Sequence, residues 1–179
     1  MIERIVGFGD SWIHGDGLSI VGNRQKENLK YRVQNCLIGQ LARQLNIPYD
    51  SDAVVNHGIS GGSLQSTQWE FAQWAIQQDS FENTLIVVGL TESARQSWWQ
   101  SGDVNYIHNH NVTPGTAWEQ FVKHYQVYSN DKTMCGLNYW LTTEFFGNWA
   151  KNNCVPLLMF NVFPAPLASP HVIDSAWNA

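Results

Sequence analysis

Ser11, on the segment Gly7-Phe8-Gly9-Asp10-Ser11-Trp12, is the first residue whose setting suggests chemistry. An apolar run ends at Phe8, so the serine stands on the turn beyond it, where open α/β sheets bind their ligands. A hydroxyl presented there can attack a substrate while nearby backbone amides hold a developing oxyanion. The paired glycines do not make a dinucleotide loop, because G-x-G-x-x-G needs a third glycine where Trp12 stands. Alone, Gly-Asp-Ser fits a plain turn or helix cap better than an active site. Two further turns change the weighing. Asn56-His57-Gly58-Ile59-Ser60-Gly61-Gly62-Ser63 follows a second apolar run, and Gly89-Leu90-Thr91-Glu92 closes a third. Small polar groups therefore recur where successive apolar runs end.

The elements that must carry these turns read as strands alternating with helices. Arg4 to Phe8, Ala53 to Val55, Leu85 to Val88 and Val155 to Phe163 are short, rich in β-branched residues and bounded by turn formers. Weak polar alternation is what strands covered on both faces show. Tyr31 to Leu45 repeats Val33, Leu37, Leu41 and Leu45 as an apolar stripe, and Asn46 and Pro48 stop it. Ser63 to Gln78 carries Leu64, Phe71, Trp74 and Ala75, with Ser63 or Ser66 available as cap. Leu137 to Asn152 carries Leu137, Trp140, Leu141, Phe145 and Trp149 at similar spacing. The alternation predicts an α/β fold, a parallel sheet with helices on both faces. The stretch from Thr91 to Tyr128 is too long for an ordinary connection and is expected to be functional or to hold structure of its own.

Gly9-Asp10-Ser11, Asn56 through Ser63 and Gly89 through Glu92 resemble, in order and spacing, the first three blocks of the SGNH (GDSL-like) hydrolase superfamily. The resemblance covers the first half of the chain, with a continuation to Phe163. It implies a flavodoxin-like three-layer α/β/α sandwich and an esterase or deacylase acting on small, lipid or glycan esters. Ser11 would be the nucleophile. The amides of Ser11 and Gly61 would form the oxyanion hole with Thr91, which stands where the family usually has asparagine. No cofactor is implied. Asp10, His14, Asn56, His57 and Glu92 are expected to line the site, Asp10 mainly by fixing the turn. The alternative is a catalytically inactive relative that binds a glycan or small ligand in the same cleft.

Two departures qualify this expectation. Gly-Leu-Thr-Glu replaces the family's Gly-x-Asn-Asp, and a threonine hydroxyl has a shorter reach than an asparagine amide. The family's Asp-x-x-His base is also missing, since none of histidines 14, 57, 108, 110, 124 and 171 has an aspartate three residues before it. The sequence is therefore read as residues 1–179 of a single SGNH-like domain that ends before its base, with His171, beside Asp174, as the in-chain substitute. His108 and His110 near Asp103 lack a third ligand at recognisable spacing, so no metal is assigned. Trp98, Trp99, Tyr106 and Trp118 are either an aromatic platform for sugar rings or acyl chains, or the packing of the long insertion.

Composition bounds the remaining possibilities. The 179 residues are 44% hydrophobic and 14% charged, which suits a folded domain with a substantial core. A net charge of −5 and the lack of a basic run remove the electrostatic footing of a nucleic-acid protein. Cys36, Cys135 and Cys154 form no C-x-x-C pair and read as free thiols. No secretory leader pattern or membrane-length apolar run is present, so a cytoplasmic location is expected. The oligomeric state is left open.

Overall fold

The computed structural model describes residues 1–18, 27–49, 52–95, 97–100, 103–106, 120, 131–163 and 169–173. Strand β1 (Arg4–Gly9) leads into a short helix α1 (Ser11–His14), followed by helices α2 (Glu27–Asn35) and α3 (Leu37–Gln44). Strand β2 (Val54–Gly58), helix α4 (Leu64–Ala75) and strand β3 (Thr84–Leu90) come next. Strands β4 (Ser97–Gln100) and β5 (Asp103–Tyr106), helix α5 (Lys132–Asn153) and strands β6 (Leu157–Asn161) and β7 (Val172–Ile173) complete the described elements.

The main sheet has the order β2-β1-β3-β6-β7, and every neighbouring pair in it is parallel. This is the flavodoxin-like order, which places a switch point, and hence a ligand crevice, between β1 and β3. Period-two alternation sends β1 side chains to opposite faces. Val6 and Phe8 join Ile86, Val88, Leu64, Phe71, Tyr139 and Phe146, the core under α4 and α5. Ile5 and Val87 join Ile13, Cys36, Ile38 and Ala42, the core under α1 to α3. Both faces are covered, so the fold is the expected three-layer α/β/α sandwich, and its strands are apolar throughout for that reason.

The helices depart from the sequence reading in an instructive way. Tyr31 to Leu45 is not one helix. Cys36 adopts an extended conformation (φ −70°, ψ 174°) that separates α2 from α3. The second segment then turns Ile38 and Ala42 inward and leaves Leu37 and Leu45 at 38% and 43% exposure. In α5, likewise, Leu137, Trp140, Leu141 and Phe145 are exposed, while Tyr139, Thr142, Thr143, Phe146, Gly147 and Ala150 face the sheet. Threonine hydroxyls can be buried there because they bond within the helix: Thr142 to the Asn138 carbonyl at 2.8 Å and Thr143 to that of Trp140 at 2.9 Å. Helix α4 follows expectation. Ser63 and Ser66 cap it reciprocally, and Leu64, Phe71 and Trp74 are buried. In the long insertion, β4 and β5 pair as an antiparallel hairpin, with Trp98 opposite Asn105 and Ser97 opposite Tyr106. Trp118, His108 and His110 lie outside the described residues.

Helix α1 sits on a floor of glycines at the carboxyl ends of three adjacent strands. The Ile13 side chain lies over Gly9 and Gly89 and is itself fully buried. A Cβ on Gly58 would stand 2.3 Å from the His14 amide nitrogen, so only glycine lets the helix backbone approach β2 this closely. Replacing Gly58 by alanine must therefore lift α1 off the sheet. Gly58→Ala is expected to lower the free energy of unfolding by about 1–3 kcal/mol, read as a fall in the urea midpoint with an unchanged m-value.

Candidate active site

Asp10 is the best-held residue of the site. Its carboxylate is fully buried and accepts from the Trp12 amide at 3.1 Å, capping α1. It also accepts from the Thr91 hydroxyl at 2.7 Å and from Arg95 Nη1 at 3.2 Å. Arg95 in turn lies over the Phe163 ring, 5.1 Å from its centroid, so one guanidinium joins the turns after β1, β3 and β6. The expectation that Asp10 fixes the turn agrees with these contacts. The sequence reading missed Arg95. Its only signal was a cation three residues after Glu92, too weak to single out.

Thr91 requires a correction. Expected as an oxyanion donor, it is 3% exposed and its single hydroxyl proton is directed at Asp10. A hydroxyl carries one proton, so it cannot serve a substrate while it serves the carboxylate. Glu92 is exposed, 4.0 Å from Arg95 Nε, and does not line the cleft at Ser11.

Ser11 opens α1 immediately beyond this clamp. Its hydroxyl has no hydrogen-bond partner among the described residues, and it lines a cleft of about 800 Å³. Trp12, Leu18, Leu37, Phe160 and Val162 supply the apolar walls, and Asp16, Asn35 and Asn161 the polar ones. No lysine or arginine is among its described lining residues. The cleft therefore suits an uncharged, partly apolar group. The backbone amides of Ser11 and Gly61 likewise donate to no described acceptor. Gly61 has φ +72° on the turn after β2, and that turn is tied to the turn of Ser11 at two points. The Ile59 amide donates to the Gly9 carbonyl at 2.8 Å, and the Ser60 hydroxyl donates to Asp16.

His14 stands at the end of α1, with Nδ1 hydrogen-bonded to Asp16. Gly15, at φ +84°, reverses the chain there, and the amides of Gly15 and Asp16 both donate to the Ser11 carbonyl, at 2.9 and 3.0 Å. This hydrogen-bonded reversal folds Asp16 back over the turn that begins with Ser11. Neither Asp16 nor Ser60 was singled out in the sequence, because their partnership depends on this reversal and on the β1–β2 pairing.

Three other expected site residues serve the scaffold. Asn56 donates to the Ile13 carbonyl at 2.7 Å and accepts from the Gly58 amide at 2.8 Å, bracing α1 against β2 rather than lining the cleft. His57 stacks on Phe8, with centroids 5.1 Å apart, on the α4 side of the sheet. Burial lowers its pKa, and the positive charge of Arg4 lowers it further. Its Nε2 is buried without a partner among the described residues. His171, the expected in-chain base, is also not brought to Ser11. It precedes β7, whose Val172 pairs with Met159, and β7 lies three strands from β1. At ~4.8 Å per strand that is roughly 14 Å, well beyond the reach of an imidazole. His171 instead packs on Gly147 and faces Glu144 at 3.5 Å. Asp174 lies outside the described residues.

Among the described residues no group of three or more His, Cys, Asp or Glu is placed to hold a metal ion, and no helix is long and apolar enough to cross a membrane. Compared with known proteins, the chain matches no family model and no curated sequence.

Two outcomes follow from these placements. Thr91→Val removes a hydrogen bond to a buried charge and is expected to cost about 1.5–3 kcal/mol of stability, while Thr91→Ser retains most of it; urea unfolding of the pair checks this. For His57, the folded state disfavours the proton, so the unfolded chain binds it first as the pH falls. Its contribution to stability is present above the ordinary histidine value of about 6.5 and lost progressively below it. His57→Phe keeps the stack on Phe8 and removes the titration. It should flatten the decline in urea midpoint between about pH 7.5 and 5, by comparison with the native protein.

Proposed function

We propose that the chain is a serine hydrolase of the SGNH type, with Ser11 as nucleophile, acting on esters whose acyl or alcohol part is uncharged and partly apolar. The observation that carries this reading is the setting of Ser11. A hydroxyl with no partner among the described residues lines a cleft of about 800 Å³ at the carboxyl end of β1, beside the switch point of the sheet. The two carboxylates that flank it in the chain are engaged elsewhere: Asp10 with Thr91 and Arg95, and Asp16 with Ser60 and His14.

In the proposed reaction Ser11 Oγ bonds to the ester carbonyl carbon and the carbonyl electron pair moves onto oxygen. The amides of Ser11 and Gly61 stabilise that oxyanion; Thr91 has no part in it. Collapse expels the alcohol and leaves an acyl-serine, which water then hydrolyses. Asp16 on the cleft wall, with no described cation there to offset it, disfavours acyl groups that carry a carboxylate.

Hydrolysis of p-nitrophenyl esters tests the reading. Acetate and butyrate esters are expected to turn over, and a hemisuccinate ester to be a much poorer substrate. Ser11→Ala is expected to remove the activity to within about 10³–10⁴-fold of the uncatalysed rate. Unchanged turnover in Ser11→Ala would show that another group does the chemistry.

A further inference from the structure

We infer that His14, oriented by Asp16, is the general base and acid for Ser11, an assignment that rests on the reading of Ser11 as nucleophile. Serine needs such a group, because its hydroxyl is a poor nucleophile at neutral pH. The other described histidines cannot supply it. His57 is enclosed between the sheet and α4, and His171 stands at the far edge of the sheet against α5.

His14 shares the short helix of Ser11, and although its own side chain is not among the described lining of the cleft, its partner Asp16 is. His14 is three residues after Ser11 on one helical turn, which places the two Cβ atoms about 5–6 Å apart. Helical side chains lean toward the helix N-terminus, which is the direction of Ser11. Its Nδ1 meets a carboxylate oxygen of Asp16, which can only accept; Nδ1 therefore carries the proton. That leaves the Nε2 lone pair as the base, and Nε2 has no partner among the described residues. The imidazole is 24% exposed, open to solvent as a group that exchanges protons with substrate must be. The other Asp16 oxygen accepts from the Ser60 hydroxyl, which pins the carboxylate from the β2 side. Asp16 also lines the cleft that Ser11 lines. Nucleophile, base and orienting carboxylate thus come from six consecutive residues, Ser11 to Asp16, with Ser60 as a brace.

The proton path balances. As Ser11 Oγ bonds to the carbonyl carbon, its proton passes to His14 Nε2. Collapse of the tetrahedral intermediate returns that proton to the departing alkoxide. In deacylation, water gives a proton to Nε2 and attacks the acyl carbon; the proton then returns to Ser11 Oγ. Asp16 holds the imidazole and stabilises its cationic form without taking the proton itself. It is a positioning residue.

Fluorophosphonate labelling separates this relay from the reading beneath it, because attack on phosphorus with loss of fluoride reports activation of Ser11 directly. The native protein is expected to label at Ser11, and Ser11→Ala not at all. His14→Asn keeps a donor toward Asp16, and hence the turn, but has no base; its labelling rate should fall about 10²–10⁴-fold with the urea midpoint preserved. His14→Ala should fall similarly and recover in part when imidazole is added to the buffer, which a merely structural role would not allow. Asp16→Asn should slow labelling by a smaller factor. Equal rates in the native protein and His14→Asn, or a loss in His14→Ala that imidazole does not relieve, overturn the relay while the Ser11 reading stands. A native protein that does not label at Ser11 overturns both.

Discussion

The buried carboxylate of Asp10 is the interaction on which the arrangement of the site depends. A fully buried anion carries a desolvation cost of several kcal/mol, offset only while its donors stay in place. Its donors come from α1, through the Trp12 amide, and from the segment after β3, through Thr91 and Arg95. Moving α1 away from β3 would strip the charge of its partners, so the first turn of the helix is fixed where the sheet leaves room for it. The glycine floor beneath Ile13 supplies that room. Electrostatics and close packing thus act on the same four-residue helix, which would have little stability alone.

That constraint leaves Ser11 in an unusual position for a hydroxyl. It is adjacent to the most constrained side chain in the region, yet its own oxygen is bonded to nothing described. A serine whose only purpose was to cap the helix would accept from an amide of α1, and Asp10 already does so. The work is thus divided between adjacent residues: Asp10 holds the turn, and Ser11 has no partner among the described residues, which is the setting the proposed chemical role of Ser11 requires.

The layered architecture was legible in the sequence because it rests on local signals: short β-branched runs, bounding glycines and the serine cap of α4. The faces of two helices were not. Val33, Leu37, Leu41 and Leu45 form a regular stripe on paper, but the extended backbone at Cys36 restarts the helix and rotates the buried face to Ile38 and Ala42. In α5 Leu137, Trp140, Leu141 and Phe145 point outward, and Thr142, Thr143, Gly147 and Ala150 are buried beside Tyr139 and Phe146. Residue size misled there, because small side chains permit closer packing and a threonine can satisfy its hydroxyl within the helix. At the site, Ser11, Asp10 and the glycine turn were legible as strand-end residues. Arg95, Asp16 and Ser60 were not, since each acts through a contact between turns that no spacing encodes. His171 misled for the complementary reason. Its place in the sequence suggested a role, but the strand order puts it at the opposite edge of the sheet.

The location of the candidate proton relay has a consequence for how such a site tolerates change. A base delivered from the last strand of the sheet must keep its register across every intervening strand, so small shifts in packing accumulate at the reacting atoms. A base three residues from the nucleophile, on the same helical turn, is positioned mainly by the local hydrogen bonds of Ser11, Gly15 and Asp16. Its geometry then depends on the clamp at Asp10 and the brace at Ser60, both on β1 or its immediate neighbours. The far edge, where β7 is only two residues long and His171 faces Glu144, is relieved of that demand. Precision in such a site is a property of one turn and its two neighbouring strand ends rather than of the sheet as a whole.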